Sequence, residues 1–479
     1  GKTNKERNIR LTNTRISYTQ RKEILQMPLV RRGVYKSGIS FTDRNIRSKP
    51  FGSLGSRTIG NIYGDGGAGN AGIEKRFDKE LRGVDGTSSR QRVAGHWEYI
   101  PIVEAENGAD VYTTLDANLM DICESNLRKQ LQINQADWGC VVLMEVKSGK
   151  IKAMCNLDLG SDGKYYELQN HAVVRMEPGS TFKTIALMAA LDDGNLGFND
   201  SIEVWKDGRK YYGSNHIDAH PADTTYSIRQ ALAVSSNIAL ARIITEGYGG
   251  SAKKFVRKLE RMGVCDSVDY IIPGADQSKI DIPKDTVTIS KMAYGYSVEL
   301  SPLQMAMLYN GIANDGKLIS PILVENVKKD DEILEEFESE VIQSSMCSSK
   351  TLKEIKSCLH DVVWDNDLGT ASVYKWRGHI AKYKAQSQLV AIAGKTGTAQ
   401  VFENGRYHGN KHRMSFAGYF PEEAPQYTCI CVMHAPRNRG YYDAGMDCGS
   451  VVRQIAEKTM AYSNEYVIDG DELIFRKKQ

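Results

Sequence analysis

Ser180-Thr-Phe-Lys183 places a hydroxyl three residues before an amine, directly after Glu177-Pro178-Gly179. A serine hydroxyl is a poor nucleophile until a base takes its proton. On a helix, positions i and i+3 share a face, so Lys183 can serve as that base for Ser180. Pro178 fits a first helical turn, which would put Ser180 at a helix N-terminus, where free N–H groups favour developing negative charge. Burial would strip Lys183 of its charge and ready it to accept a proton.

A second polar group interrupts an apolar run at Ser235-Ser236-Asn237, within residues 228–240. Ser235 can relay a proton between Lys183 and a leaving amine. The Asn237 amide offers a donor and an acceptor to a peptide bond. The flanking apolar residues argue against ordinary helix capping by these polar side chains. A third group, Lys395-Thr396-Gly397-Thr398, follows the apolar run 389–394, which reads as a buried strand. There Lys395 brings positive charge, Thr396 and Thr398 bring hydroxyls, and Gly397 permits close approach of a ligand. The Thr398 N–H is a candidate oxyanion donor. Each motif alone is compatible with solvated side chains on a helix or turn. Three in order, each in a suitable local setting, point to nucleophilic acyl transfer.

The elements that must hold these groups can be read along the chain. A helix is expected from Asn118 to about Gln132, strands near 139–146 and 150–155, and a helix-rich middle from about 178 to 310. Strands return at 389–395, 413–420 and 427–435, before an amphipathic helix from Ser450 to about Tyr462. Sheet elements first and last with helices between predict an α+β fold. Its central sheet is antiparallel, with a helical subdomain and the site at their junction.

The motif set resembles that of the penicillin-binding proteins, serine acyltransferases with Ser-x-x-Lys, Ser-x-Asn and Lys-Thr-Gly. The similarity extends over roughly residues 45–460. It takes in 111–116, 139–144 and 148–154, Ser301–Met305, Asn310–Gly316 and Ser415–Pro421. Residues 69–83 resemble the segment before the catalytic domain in class B, monofunctional members. The resemblance implies a peptidoglycan D,D-transpeptidase with Ser180, Lys183 and Ser235 catalytic, and Asn237, Lys395, Thr396, Gly397 and Thr398 binding substrate. It implies D-alanyl-D-alanine stem peptides as substrate, β-lactams as covalent inhibitors, and no cofactor. Expected domains are a partial pedestal at 1–105, the transpeptidase domain at 106–466 and a tail at 467–479. Residues 395–400, 415–421 and 437–442 look closer to septal enzymes than to those of side-wall elongation. A membrane glycosyltransferase and cell-division proteins would then be partners, with the catalytic domain in the periplasm, held at the inner membrane. Serine β-lactamases and penicillin-sensing domains share the motifs but lack a pedestal. A catalytically dead scaffold is disfavoured because every motif residue is intact.

Composition fits. A chain of 479 residues exceeds one ordinary core. Residues 1–60 carry a balance of +11 within a whole chain of +3, a basic face suited to anionic lipid or an acidic partner, or simply to solvation. Nothing resembles a nucleic-acid module. No run of about 18 apolar residues marks a membrane helix, and the family's usual anchor and first pedestal segment are expected to be missing. Nine cysteines without a Cys-x-x-Cys pair are expected to be mostly buried free thiols. Cys429 and Cys431 should share a strand face, a poor disulfide geometry. His216/His220 and His408/His412 have metal-like spacing, but one runs into Pro221 and the other spans Gly409 in a polar loop. Neither reads as a zinc helix, and no metal site is expected.

Overall fold

Asp116 accepts the backbone N–H groups of Asn118 (2.9 Å) and Leu119 (3.0 Å), and from that cap helix α1 runs over Ala117–Asn134. Capping of this kind satisfies donors that a helix start leaves free. The computed structural model describes residues 11–12, 16, 18–41, 48–64, 67–93, 96–205, 210–211, 214–218, 224–249, 251–269, 271–282, 285–403, 405–437, 442–463, 466–469 and 472–475. It divides into two compact units, Gly1–Ser48 with Gly64–Gly66, and Lys49–Tyr63 with Gly67–Gln479. Within the smaller unit, helix Tyr18–Gln26 precedes a 3-10 turn at Val30–Arg32, and the Arg21 guanidinium stands 5.5 Å from the Phe41 ring centroid.

The larger unit is built on six antiparallel strands. They are β1 (Trp138–Glu145), β2 (Ile151–Leu159), β3 (Tyr165–Tyr166), β4 (Ala393–Glu403), β5 (Arg406–Phe420) and β6 (Tyr427–His434). Their spatial order is β4-β5-β6-β1-β2-β3, so β4 is an edge strand with one row of backbone groups left unpaired by the sheet. Between the two sets of strands come α2 (Lys183–Asp192), α3 (Ile228–Ala233), α4 (Asn237–Gly247), α5 (Pro302–Ala313) and α6 (Ser349–Trp364). Helix α7 (Ser450–Tyr462) ends the domain. The helix-rich middle is as expected, with a short strand pair, Ser201–Val204 with Thr224–Ser227, set into it.

Helices cover both sheet faces. Gly139 on β1 lies under α1: an added Cβ would meet Leu131 Cδ2 at 2.9 Å and Leu127 Cδ1 at 3.1 Å. Lys458 of α7 donates to Asn126 of α1 at 3.0 Å, joining the two covering helices. On the opposite face lies α5, whose residues are all buried. Its start is a capping box between Ser301 and Gln304 with Pro302 in the first turn. Asn310 of α5 donates to the Val146 carbonyl and accepts from Thr428, both at 3.0 Å, fixing helix to sheet. All nine cysteines are free, eight of them buried, and burial pushes the thiols of Cys140, Cys155 and Cys429 well up. Cys429 and Cys431 stand two residues apart on β6 and so share a strand face.

Three expectations need correction or restriction. The run 389–392 is not strand; the ladder begins at Ala393 and continues to Glu403, so the Lys-Thr-Gly-Thr motif is itself strand. Ser387 explains this: its hydroxyl accepts the N–H groups of Leu389 (3.0 Å) and Val390 (3.3 Å), drawing those donors into a side-chain turn. His408 and His412 lie on β5, not in a polar loop, because the hairpin reaches that far: Val401 pairs with His408 and Gln400 with His412. Asp65, Gly66, His220, Pro221, residues 438–441 and parts of 467–479 lie outside the described residues. In the remainder of that last segment, Tyr466–Asp469 pairs with Glu472–Phe475. Residues 49–63 and 67–105 belong to the larger unit along with the residues that follow them.

Leu127 is fully buried between α1 and the sheet. Leu127→Ala should cost about 2–5 kcal/mol. In urea unfolding this appears as a lower midpoint with an unchanged slope.

Candidate active site

Pro178 starts a single 3-10 turn, Gly179–Phe182, that runs directly into α2. Ser180 therefore sits one residue inside a helical start, as expected, but on a tighter turn than an α-helix. Tyr309 of α5 donates to the Thr181 carbonyl (2.9 Å) and shares a hydrogen bond with the Thr184 hydroxyl (2.8 Å), pinning this turn to the domain core. Gly295 lies against it from the other side. The Gly179 N–H donates to the Gly295 carbonyl at 3.3 Å, and a Cβ at Gly295 (φ +85°) would strike the Gly179 oxygen at 2.1 Å. Only glycine permits that approach.

Lys183 is fully buried at the head of α2. Its amine donates to the Ser235 carbonyl (2.5 Å) and the Ser235 Oγ (3.1 Å). From β4, the equally buried Lys395 donates to the same Oγ (2.8 Å), and to the Thr396 carbonyl (2.9 Å) and Oγ1 (3.3 Å). One hydroxyl thus receives two amines. Desolvation lowers the Lys183 pKa to about 7, against a smaller upward pull from the Asp218 carboxylate. Desolvation, and then the neighbouring Lys183, hold Lys395 well below the usual lysine range. A neutral Lys183 amine has two N–H donors and one lone pair. Ser235 takes both donors, so the lone pair is left for a proton. Ser235 accepts twice and so keeps its own proton to give.

Ser235 lies in the left-handed region, φ 59°, between α3 and α4. Such a conformation in a non-glycine residue is uncommon and clusters at functional sites. The structure corrects the capping expectation: Ser236 does cap α4, accepting the Ala239 N–H at 3.0 Å. Capping by Ser236 is what frees Ser235, one residue earlier, to face the lysines. Asn237 opens α4, and one of its amide hydrogens is committed to the Ile217 carbonyl at 2.6 Å.

Along β4 the motif alternates. A Cβ at Gly397 would meet Ser415 Oγ at 2.2 Å and Thr181 Cγ2 at 3.0 Å. The glycine therefore lets the strand approach the nucleophile turn closely. Thr396 is buried, and its hydroxyl bonds Thr370 (2.7 Å) as well as Lys395, so it is an internal support instead of a free donor. Thr398 is exposed beside the turn, its carbonyl 3.3 Å from the ideal Cβ position of Gly179. Ser180, Lys183, Ser235, Asn237 and Lys395–Thr398 thus line one junction of α2, α4 and β4. Asp218, Gly295, Tyr309 and Thr370 escaped the sequence reading, since none stands in a recognisable spacing. His216 is buried and bonds the Tyr294 hydroxyl at 2.9 Å. Among the described residues no group of three or more potential metal ligands gathers.

A serine on a helical start, a dehydrated lysine one turn on, and a second serine held by that lysine form an active-serine acyl-transfer site on an α+β fold. Residues 139–460 match the family described as Penicillin binding protein transpeptidase domain, and the chain belongs to it. The probable peptidoglycan D,D-transpeptidase PenA of Neisseria meningitidis is 26% identical over 427 residues, covering 85% of this chain and 67% of that protein. The peptidoglycan D,D-transpeptidase FtsI of Buchnera aphidicola is 24% identical over 419 residues, covering 85% and 68%. The crystal structure of penicillin binding protein 3 from Mycobacterium tuberculosis complexed with aztreonam superposes with TM-score 0.72 at 22% identity, covering 89% and 92%.

Lys183 should titrate near pH 7, protonated below and neutral above, because burial penalises its charge. NMR of lysine labelled with carbon-13 at Cε, with Lys183→Arg to assign the signal, checks this; an ordinary lysine titration would refute it.

Proposed function

We propose that this chain is a peptidoglycan D,D-transpeptidase that cross-links stem peptides through an acyl-enzyme on Ser180. The observation that carries the reading is the shared grip of Lys183 and Lys395 on the Ser235 hydroxyl. Ser180 Oγ attacks the carbonyl of the penultimate D-alanine while its proton passes to the Lys183 lone pair. The N–H groups of Ser180 and Thr398 receive the oxyanion, at about 3–4 kcal/mol for a donor of this kind. Ser235 gives its proton to the departing D-alanine amine and is reprotonated from Lys183, so charge returns to its starting point. The exposed Thr398 hydroxyl holds the terminal carboxylate, and Lys395 supports the site from behind through the Ser235 hydroxyl. Thr396 steadies Lys395, Gly397 lets β4 close on the turn, and Asn237 holds the peptide. The amine of a second stem peptide then attacks the ester and releases Ser180. In a β-lactam the leaving nitrogen stays tethered to the acyl group and blocks the acceptor, so the adduct lasts.

We further infer the septal branch of class B enzymes, on the resemblance of residues 395–400 and 415–421, with the domain limits 1–105, 106–466 and 467–479. The enzyme would work on the outer side of the cytoplasmic membrane beside a glycosyltransferase and cell-division proteins. Among the described residues no helix is long and apolar enough to cross a membrane. Depletion should produce filamentous cells; rounded cells would favour the elongation branch.

Treatment with penicillin should add one intact drug mass to the protein, mapped to Ser180, and Ser180→Ala should stay folded yet remain unlabelled. Continued labelling of that variant, or rapid turnover of the drug, would refute the reading. The acylation rate should rise with pH through about 7, since only the neutral Lys183 accepts the proton.

A further inference from the structure

We propose that Asp218 is a positioning residue that holds Ser235 between the two lysines by gripping the first turn of α4. The proposal rests on the transpeptidase reading above. Asp218 lies 18 to 20 residues before the groups it bonds and is almost wholly buried. One carboxylate oxygen accepts the N–H groups of Asn237 (2.6 Å) and Ile238 (3.1 Å). The other accepts the Ser236 hydroxyl at 2.6 Å. The three residues that follow Ser235, namely Ser236, Asn237 and Ile238, are therefore tied to one side chain. Ionised carboxylates make the stronger kind of hydrogen bond, and the helix start favours a negative charge there.

The neighbours of Asp218 extend the grip. His216 bonds the Tyr294 hydroxyl, next to the Gly295 that abuts the nucleophile turn, and the Ile217 carbonyl takes an Asn237 amide hydrogen. Residues 216–218 thus clip together the Ser235 turn and the loop behind Ser180. Left-handed backbone at Ser235 persists only where surrounding contacts impose it. The clip supplies those contacts on the α4 side, and the Ser235 N–H bond to the Leu232 carbonyl (3.1 Å) supplies one on the α3 side. Asp218 also acts on charge. Its carboxylate favours protonated Lys183, opposing desolvation. The charged or titratable groups around this pair are Lys395 on β4, Tyr226 before α3, and Tyr294 with its partner His216.

The test is the rate of Ser180 acylation by a fluorescent penicillin as a function of pH, on the full chain, with thermal unfolding as control. Asp218→Asn keeps the shape and one oxygen for the two N–H groups, but loses the charge and replaces the oxygen that accepts the Ser236 hydroxyl with a donor-only NH2. Acylation should fall about tenfold to a hundredfold, the scale of losing a charged hydrogen bond. Its inflection should move to lower pH, because Lys183 loses a charge that favoured its protonated form. Asp218→Glu should restore the inflection towards that of the unmodified chain. A rate within twofold of the unmodified chain, or a slower rate with an unmoved inflection, overturns the proposal. If Asp218→Asn does not fold, Ser236→Ala removes a single arm of the grip; it must slow acylation at least threefold, and a smaller effect overturns the proposal. An unmodified chain that is never labelled at Ser180 would instead refute the transpeptidase reading itself.

Discussion

Two lysine side chains with no exposed surface converge on the hydroxyl of Ser235, and the rest of the site is arranged around the cost of keeping them dry. Water would hold both ammonium groups charged, and neither could act as a base near neutral pH. Removing it favours the neutral amine, most of all where two amines compete for one acceptor. The surrounding walls supply that dryness. Helix α2 is buried from Lys183 to Leu191, α5 is buried throughout, and β4 closes the third side. The chemistry is therefore a property of packing before it is a property of any residue.

Such packing demands close backbone approach, and glycine makes it possible at two places. At Gly295 a side chain would collide with the nucleophile turn, and at Gly397 with Ser415 and Thr181. These contacts bring a turn, a loop and an edge strand within reach of one substrate. The edge position of β4 matters as well. A strand paired on one side presents unpaired N–H and C=O groups to an extended peptide, which can dock as an added strand. Exposed Thr398 and Gln400 lie on that edge, while buried Lys395 and Thr396 anchor it inward.

Support reaches the site through helix caps and single hydroxyls instead of long hydrophobic levers. Ser227, Ser236 and Ser301 cap three helices around the cleft. Tyr309 ties α2 to α5, and Thr370 joins β4 to the end of α3 through its hydroxyl and its N–H. Each bond is modest, about 1 kcal/mol net, but in a dry interior an unmade one is costly. The network therefore admits few alternative arrangements.

Much of this was legible in the chain itself. Helix α7 was placed at its observed ends, and α1, β1 and β6 to within two residues, because apolar periodicity is a local signal. The residue types at 180, 183, 235, 237 and 395–398 defined a nucleophile, a base and an anion grip, since the reactivity of a side chain is written in its identity. Sequence patterning misplaced the start of β4 and the capping role of Ser236, where a serine hydroxyl competed with the expected backbone pairing. Folding alone decided that Lys183 meets Ser235 across 52 residues and Lys395 meets it across 160. It also decided that Asp218 holds the turn between them. Burial and distance are set by how elements pack, and no short spacing encodes them; that is why the groups were evident from the chain, while the burial that lowers the Lys183 pKa was an expectation that only packing could supply.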